Sequence, residues 1–276
     1  MPLTTDVDPS PFDLHPSATD LHPPPFDLSG SGPQAGGAGA QRGVLCLHGF
    51  TGTPYEVRPL GEALAARGVR ALGPALPGHN ETPQRLSEVS HRAWLDAARS
   101  HLRALRSDHD RVFVVGLSMG GLLALGLASD ERVDALAVVA TPLRLARSVR
   151  WGVPLLKYVI PFAPKRTGAD ILDPVARQRH PSYDRLPLRG VHELMRLQRW
   201  VRPRLGRVRC PILVAHGAHD TTANPADARE ILAGVASERH ELLILEGSAH
   251  NVAVDHDGPR LAEATADFLL RRCSPA

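Results

Sequence analysis

Three short segments carry side chains suited to nucleophilic chemistry. Gly116-Leu117-Ser118-Met119-Gly120 is a Gly-x-Ser-x-Gly motif. By itself this is a weak signal, and its setting is what informs. A strand-like apolar run, 111–116, ends at the first glycine, and a helix-like run, 119–129, begins after the serine. A tight strand-to-helix turn strains the serine backbone, lifts Oγ above the sheet and sets it at a helix N-terminus, where the dipole favours negative charge. The plain alternative is a glycine-flanked N-cap serine. A hydroxyl is a poor nucleophile until a base takes its proton. His250 follows the strand-like run 242–245 in Glu246-Gly247-Ser248-Ala249-His250, and Asp220 follows the run 210–215 in His216-Gly217-Ala218-His219-Asp220. The order Ser118, Asp220, His250 is the one a nucleophile elbow demands, with the carboxylate orienting the imidazole and stabilising its charged form. The competing readings are a surface-loop histidine and a turn or N-cap aspartate beside Thr221, Thr222 and Asn224.

A tetrahedral oxyanion needs two backbone N–H donors. One is expected from Met119, directly after the nucleophile. The other is expected from Phe50 in His48-Gly49-Phe50-Thr51-Gly52, which follows the first apolar run. The Met119 side chain either lines a pocket or fills core. His48 is read as shaping this loop. The 14 histidines show no metal-ligand spacing backed by acids or thiolates, and no metal or cofactor is expected.

These residues need a scaffold. From residue 43 onward six strand-like runs (44–47, 69–76, 111–116, 135–140, 210–215 and 241–245) alternate with helix-like segments at 54–67, 90–106, 119–129, 224–235 and 258–272. Short strands that are apolar throughout imply an α/β fold, a mostly parallel sheet covered by helices on both faces. The alternation breaks from about 141 to 205. That is too long for a bare loop, and with helical candidates at 153–160 and 191–201 it reads as a helical cap. Leu143, Leu155, Leu156 and Met195 are its candidates for an acyl-binding wall. The apolar run 151–162 either lines that pocket or touches a lipid interface, and the pocket is the favoured reading because two prolines interrupt it.

Together, Leu47-His48-Gly49-Phe50-Thr51-Gly52, Gly116-Leu117-Ser118-Met119-Gly120-Gly121, His219-Asp220 with Asn224-Pro225, and Gly247-Ser248-Ala249-His250 resemble the α/β-hydrolase superfamily. The nearest likeness is to bacterial carboxylesterases and monoacylglycerol lipases with a small helical cap. The resemblance covers about residues 43–272, loosely in the cap. It implies a Ser118–Asp220–His250 triad, Phe50 and Met119 as oxyanion donors, and hydrolysis of short- to medium-chain acyl esters or monoacylglycerols. The same triad on this fold also serves thioesters, lactones and carbon–carbon bonds, and a non-catalytic ligand receptor is a further reading. One departure is Gly78-His79-Asn80 where the family has Gly-His-Gly, so a different loop conformation is expected there.

Composition narrows the class. The chain has 276 residues, 43% of them hydrophobic and 22% charged, which excludes a disordered, collagen-like or disulfide-scaffold protein. Net charge is +3, and only two of 32 basic residues are lysines. Aromatics at 4% argue against stacking on single-stranded nucleic acid. The basic run Arg196–Arg209 reads as a solvated face. Cys46, Cys210 and Cys273 read as thiols in a reducing compartment. With no secretory signal and no membrane span, the expectation is a soluble cytoplasmic enzyme, a monomer or weak dimer acting on small acyl esters. Residues 1–42 read as a flexible Pro/Gly-rich extension. Within it Pro-Phe-Asp-Leu occurs at 11–14 and 25–28, and an edge strand near Pro25–Leu28 or a docking motif is the sharper reading of that repeat.

Overall fold

The computed structural model describes residues 23–31, 41–165 and 168–271. In chain order, β1 (Phe26–Leu28), β2 (Arg42–Leu47), α1 (Arg58–Ala65), β3 (Arg70–Gly73), α2 (Pro83–Glu88), α3 (His91–Asp108), β4 (Arg111–Leu117), α4 (Met119–Asp130) and β5 (Ala135–Val139) form the first part. The segment that follows holds α5 (Arg147–Leu156), β6 (Phe162–Pro164), α6 (Pro174–Arg179), β7 (Arg185–Pro187) and α7 (Leu188–Val201). The chain then returns through β8 (Ile212–Gly217), α8 (Ala226–Gly234), β9 (His240–Leu245) and α9 (Gly258–Leu270).

Seven strands make one sheet in the order β1-β3-β2-β4-β5-β8-β9, parallel except for β1. Its interior follows from period-two alternation. Leu45 and Leu47 of β2 and Val112 and Val114 of β4 point to one face, with Trp94 and Leu102 of α3 and Leu122 of α4. Val44, Cys46, Phe113 and Val115 point to the other, with Leu60 and Leu64 of α1 and Phe268 of α9. Strands buried on both faces must be apolar at every position, which is why these runs read as continuous rather than alternating. Burial pushes the thiols of Cys46 and Cys210 up to about 12, so both are inert. Cys273 lies outside the described residues.

Several boundaries differ from the sequence reading. β3 stops at Gly73, not Leu76, because Pro74 cannot donate to the ladder, and β8 starts at Ile212 because Pro211 cannot either. Phe26–Leu28, inside the stretch expected to be flexible, forms the antiparallel edge strand β1. Phe26 is buried there, and Asp27 accepts two bonds from Arg70 at 2.9 and 2.8 Å. The first Pro-Phe-Asp-Leu copy lies outside the described residues. The segment between β5 and β8 is not purely helical, since β6 and β7 pair antiparallel in it. Its own small core is Val153, Leu188, Val191 and Met195.

Candidate active site

β4 delivers Ser118 to the C-terminal edge of the sheet, and α4 starts one residue later. Ser118 sits at φ +55°, ψ −114°, a backbone geometry that costs a non-glycine residue on the order of 1–3 kcal/mol. The flanking glycines exist for space. A Cβ on Gly116 would collide with the Gly120 carbonyl, and one on Gly120 with the Leu47 carbonyl of β2. The turn is locked by Ser118 N–H donating to Val139 O of β5 at 2.8 Å.

Asp220 and His250 leave the ends of β8 and β9, neighbours in the sheet. His250 Nδ1 lies 2.8 Å from Asp220 Oδ2, and His216 Nε2 lies 2.9 Å from the same oxygen. Oδ1 accepts the N–H groups of Thr222 (2.8 Å) and Ala223 (2.7 Å). Burial alone would raise the Asp220 carboxyl. The hydrogen bonds from His216 and His250, and the His250 charge, outweigh it and hold the group well below the usual carboxylate range. An ionised Asp220 only accepts, so the neutral form of His250 carries its proton on Nδ1 and presents Nε2 as the acceptor. Ser118 and His250 line one cavity of about 380 Å³.

The loop after β2 closes another side. Thr51 is left-handed at φ +62°, and Gly52 N–H donates to Gly49 O at 3.2 Å. His48 Nε2 accepts the Leu76 N–H at 3.1 Å, so its proton is on Nδ1, which donates to Gly49 O at 2.9 Å. Phe50 lines the cavity, its ring 5.9 Å from that of Trp94. The Met119 side chain is fully buried in the core, so it fills rather than lines. Its N–H, in the first helical turn, has no intrahelical acceptor by geometry. Asn80 stands at φ +59°, next to Gly78 at φ +76°. Asparagine tolerates the left-handed region better than most residues, so the loop keeps the backbone form that a glycine would allow.

None of the four residues expected to form the acyl wall lines the cavity. Leu143 is fully buried in the core beneath the sheet edge, its N–H bonded to Asp227. Met195 packs in the small cluster behind the wall. Leu155 is 75% exposed and Leu156 45% exposed, on the far side of α5 from the cavity. The residues that do line it are Leu145, Val149, Leu186, Val191 and Leu194. The register of α5 decides this. The helix runs from Arg147, so Val149 and Val153 share its inner face while Trp151 and Leu155 point outward.

Three acidic residues that the sequence reading passed over tie the site together. Glu56 is buried, accepts the Gly49 N–H at 2.8 Å and meets His180 Nε2 at 3.1 Å. Burial opposes its charge. The His180 hydrogen bond, the nearby His180 and His48, and the Gly49 N–H overcome that and hold it at about 2. Asp170 Oδ2 accepts from Thr221 N–H (3.0 Å), Thr221 Oγ1 (2.9 Å) and Thr222 Oγ1 (2.9 Å), while its carbonyl accepts Asn251 N–H (3.1 Å). It thereby binds the loops after both Asp220 and His250. Asp255 accepts Ala249 N–H together with Leu172 and Asp173 N–H, all at 2.9 Å. One signal for Glu56 was available. It precedes Leu60 by four residues and Leu64 by eight, an acid on an apolar face. Asp170 and Asp255 carry no local signature for this role, since the contacts that tie the covering segment to the site span 51–52 residues for Asp170 and 82–83 for Asp255. Among the described residues no group of three or more His, Cys, Asp or Glu is placed to hold a metal.

A parallel sheet of this order, a strained serine at the β4–α4 turn and a paired acid and histidine after the last two strands define an α/β-hydrolase. The chain belongs to the Hydrolase_4 family, described as serine aminopeptidase S33, whose model matches residues 39–257. It is 30% identical over 234 residues to a thermostable monoacylglycerol lipase of Bacillus sp. (strain H-257), covering 83% of this chain and 90% of that protein. It is 24% identical over 232 residues to a carboxylesterase of Bacillus subtilis (strain 168), covering 84% and 93%. Among solved structures it resembles one from the study of the metagenome-derived lipolytic enzymes LipS and LipT, with a TM-score of 0.82 and 27% identity over 90% of this chain and 97% of that one. The protein is a lipase/esterase-type hydrolase.

Proposed function

We propose that the chain hydrolyses acyl esters, monoacylglycerols among them, through an acyl-enzyme on Ser118. The observation that carries this is the strained Ser118 sharing a cavity with a His250 whose Nδ1 is held by Asp220 at 2.8 Å. His250 Nε2 takes the Ser118 proton as Oγ bonds to the ester carbonyl carbon, and the carbonyl π pair moves onto oxygen. The Phe50 and Met119 N–H groups receive that oxyanion. As the pair returns, the C–O bond to the alcohol breaks and His250 gives the leaving oxygen its proton. Water then repeats the sequence on the acyl-enzyme, releasing the acid and free Ser118.

The cavity supports the substrate class. Its apolar wall of Leu145, Val149, Val191 and Leu194 suits an acyl chain, and Lys165, Asp170, Thr221 and Thr222 supply a polar end suited to a hydroxylated alcohol. The relatives named for monoacylglycerol and carboxylic esters agree with that division. The test is the initial rate on p-nitrophenyl esters from acetate to palmitate and on monoacylglycerols, with Ser118→Ala alongside. A short- to medium-chain optimum and a loss on the order of 10³-fold or more in the variant are expected. Undiminished hydrolysis by Ser118→Ala, or no hydrolysis of any ester by the unaltered protein, overturns the reading.

A further inference from the structure

Glu56 is a buried acid that the proposed acyl transfer does not use, and it borders the cavity of Ser118 and His250. It sits in the turn Pro54–Val57, and its side chain reaches back seven residues to the loop after β2. That loop is folded around the carboxylate. Oε2 accepts the Gly49 N–H at 2.8 Å, and a Cβ on Gly52 would fall 2.1 Å from the same oxygen. A Cβ on Gly49 would stand 3.0 Å from it, so both glycines leave the room it occupies. From the other side His180, at the end of α6, sets Nε2 3.1 Å from Oε1. One carboxylate thus touches the loop with one oxygen and the covering segment, 124 residues further along the chain, with the other.

The peptide joining Gly49 to Phe50 carries the effect to the cavity. A trans peptide is planar, so the Gly49 C=O and the Phe50 N–H point in opposite directions. Gly49 O accepts from His48 Nδ1 at 2.9 Å and from Gly52 N–H at 3.2 Å, which turns the Phe50 N–H the other way. Among the described residues that N–H meets no acceptor, and Phe50 borders the cavity. Glycine is the most freely rotating residue, so a pinned C=O alone leaves the peptide plane before Gly49 loose. Glu56 pins that plane through the Gly49 N–H. We infer that Glu56 is a positioning residue for the ester hydrolysis proposed above: its carboxylate aims the Phe50 N–H at the oxyanion, and His180 makes that aim depend on the seating of the covering segment. The inference rests on the reading of Ser118 as nucleophile and Phe50 as oxyanion donor.

The test sets Glu56→Asp, which keeps the charge but shortens the reach by one methylene, against Glu56→Gln, which keeps the reach and loses the charge. Rates on a dissolved short-chain p-nitrophenyl ester are read beside affinity for an aliphatic trifluoromethyl ketone, whose adduct with a serine carries an oxyanion like that of the ester. Glu56→Asp is expected to lower kcat about 10–10²-fold with KM little changed, and to weaken the ketone by a similar factor. Glu56→Gln is expected to recover most of both, since its amide oxygen still accepts the Gly49 N–H. His180→Leu is expected to lower kcat as well, and Glu56→Asp/His180→Leu no further than Glu56→Asp alone. If Glu56→Asp does not fold, His180→Leu carries the same comparison of kcat with KM, because it leaves Glu56 and the loop in place. A carboxylate that only ties down the covering segment would raise KM and lower melting, with kcat and ketone affinity unmoved. That result overturns the inference and leaves the Ser118 chemistry standing. A faster Glu56→Asp than Glu56→Gln also overturns it, as does multiplication of the Glu56→Asp and His180→Leu effects. If the unaltered protein neither hydrolyses the ester nor binds the ketone, the reading of Ser118 falls and the inference falls with it.

Discussion

The C-terminal edge of the sheet and the segment that covers it are built on opposite principles. At the edge, Ser118, Asp220 and His250 each stand within a few residues of a strand, and the strand is held by ladders and by core on both faces. Over it, α5 and α7 share a cluster of four buried side chains, α7 alone reaches the main core through Leu194, Leu197 and Val201, and the remaining ties of the covering segment are polar. Glu56–His180, Asp170 on Thr221 and Thr222, and Asp255 on Leu172 and Asp173 are its ties. Apolar core sets position by close packing, with no single directional partner on which it depends. Hydrogen-bonded ties fix position only while every partner is present. The site is thus rigid from below and conditionally ordered from above.

Substitutions sharpen the contrast. The largest effect belongs to the edge. Asp220→Asn leaves the shape but removes the acceptor that fixes the His250 tautomer, and kcat is expected to fall on the order of 10³–10⁴-fold with little change in melting. Wild-type kcat in that variant would show that Asp220 only caps its own loop. Next comes the core. Phe113→Ala, fully buried between β4 neighbours, is expected to cost about 3–5 kcal/mol by denaturant titration. Leu155→Ala on the outer face of α5 should stay within about 0.5 kcal/mol. Equal losses for the two would erase the distinction between the regions.

The ties rank third. Asp255→Ala leaves the buried Ala249 N–H and the half-buried Leu172 and Asp173 N–H groups without their acceptor, and a cost of about 1–3 kcal/mol is expected. Because Ala249 precedes His250, kcat should fall more than KM rises, and Asp255→Asn should recover part of it. A pure KM effect would place the tie's role in the cavity wall alone.

Acid gives the gentlest test. Burial lowers His48 and His79, the latter well below the ordinary histidine value, so the unfolded chain takes protons there that the folded chain refuses. Glu56 and Asp220 are also depressed. For all four the folded value lies below the unfolded one, so their stability is complete above the unfolded value and is lost as pH falls through the folded one. Melting temperature should decline first below about pH 6.5, from the histidines, and more steeply below about pH 4.5, as Glu56 moves toward its folded value of about 2. A melting temperature flat from pH 7 to 4 would mean these groups are not buried as described.

Legibility in the sequence divided along the same line. Ser118, Asp220 and His250 could be read because each lies at a strand end, and strand ends show as the close of an apolar run. The segment His48-Gly49-Phe50, proposed to supply an oxyanion donor, could be placed after a strand for the same reason. Leu155 and Leu156 were misplaced because a helix start shifted by a few residues rotates every side chain by 100° per residue, and no cap residue marks Arg147. The edge strand β1 was half-visible in the repeated Phe-Asp-Leu. Its pairing depended on Arg70, 43 residues onward.

What the sequence by itself determined is whatever local periodicity and order along the chain encode. That covers the parallel sheet, the strand-end positions of Ser118, Asp220 and His250 and the existence of a covering segment. Only tertiary structure decided which face of α5 meets the cavity, and that Glu56, Asp170 and Asp255 hold the loops in place. The reason is physical. Burial of an apolar run follows from its own composition, whereas a buried carboxylate is tolerable only beside particular donors, and those donors come from distant parts of the chain.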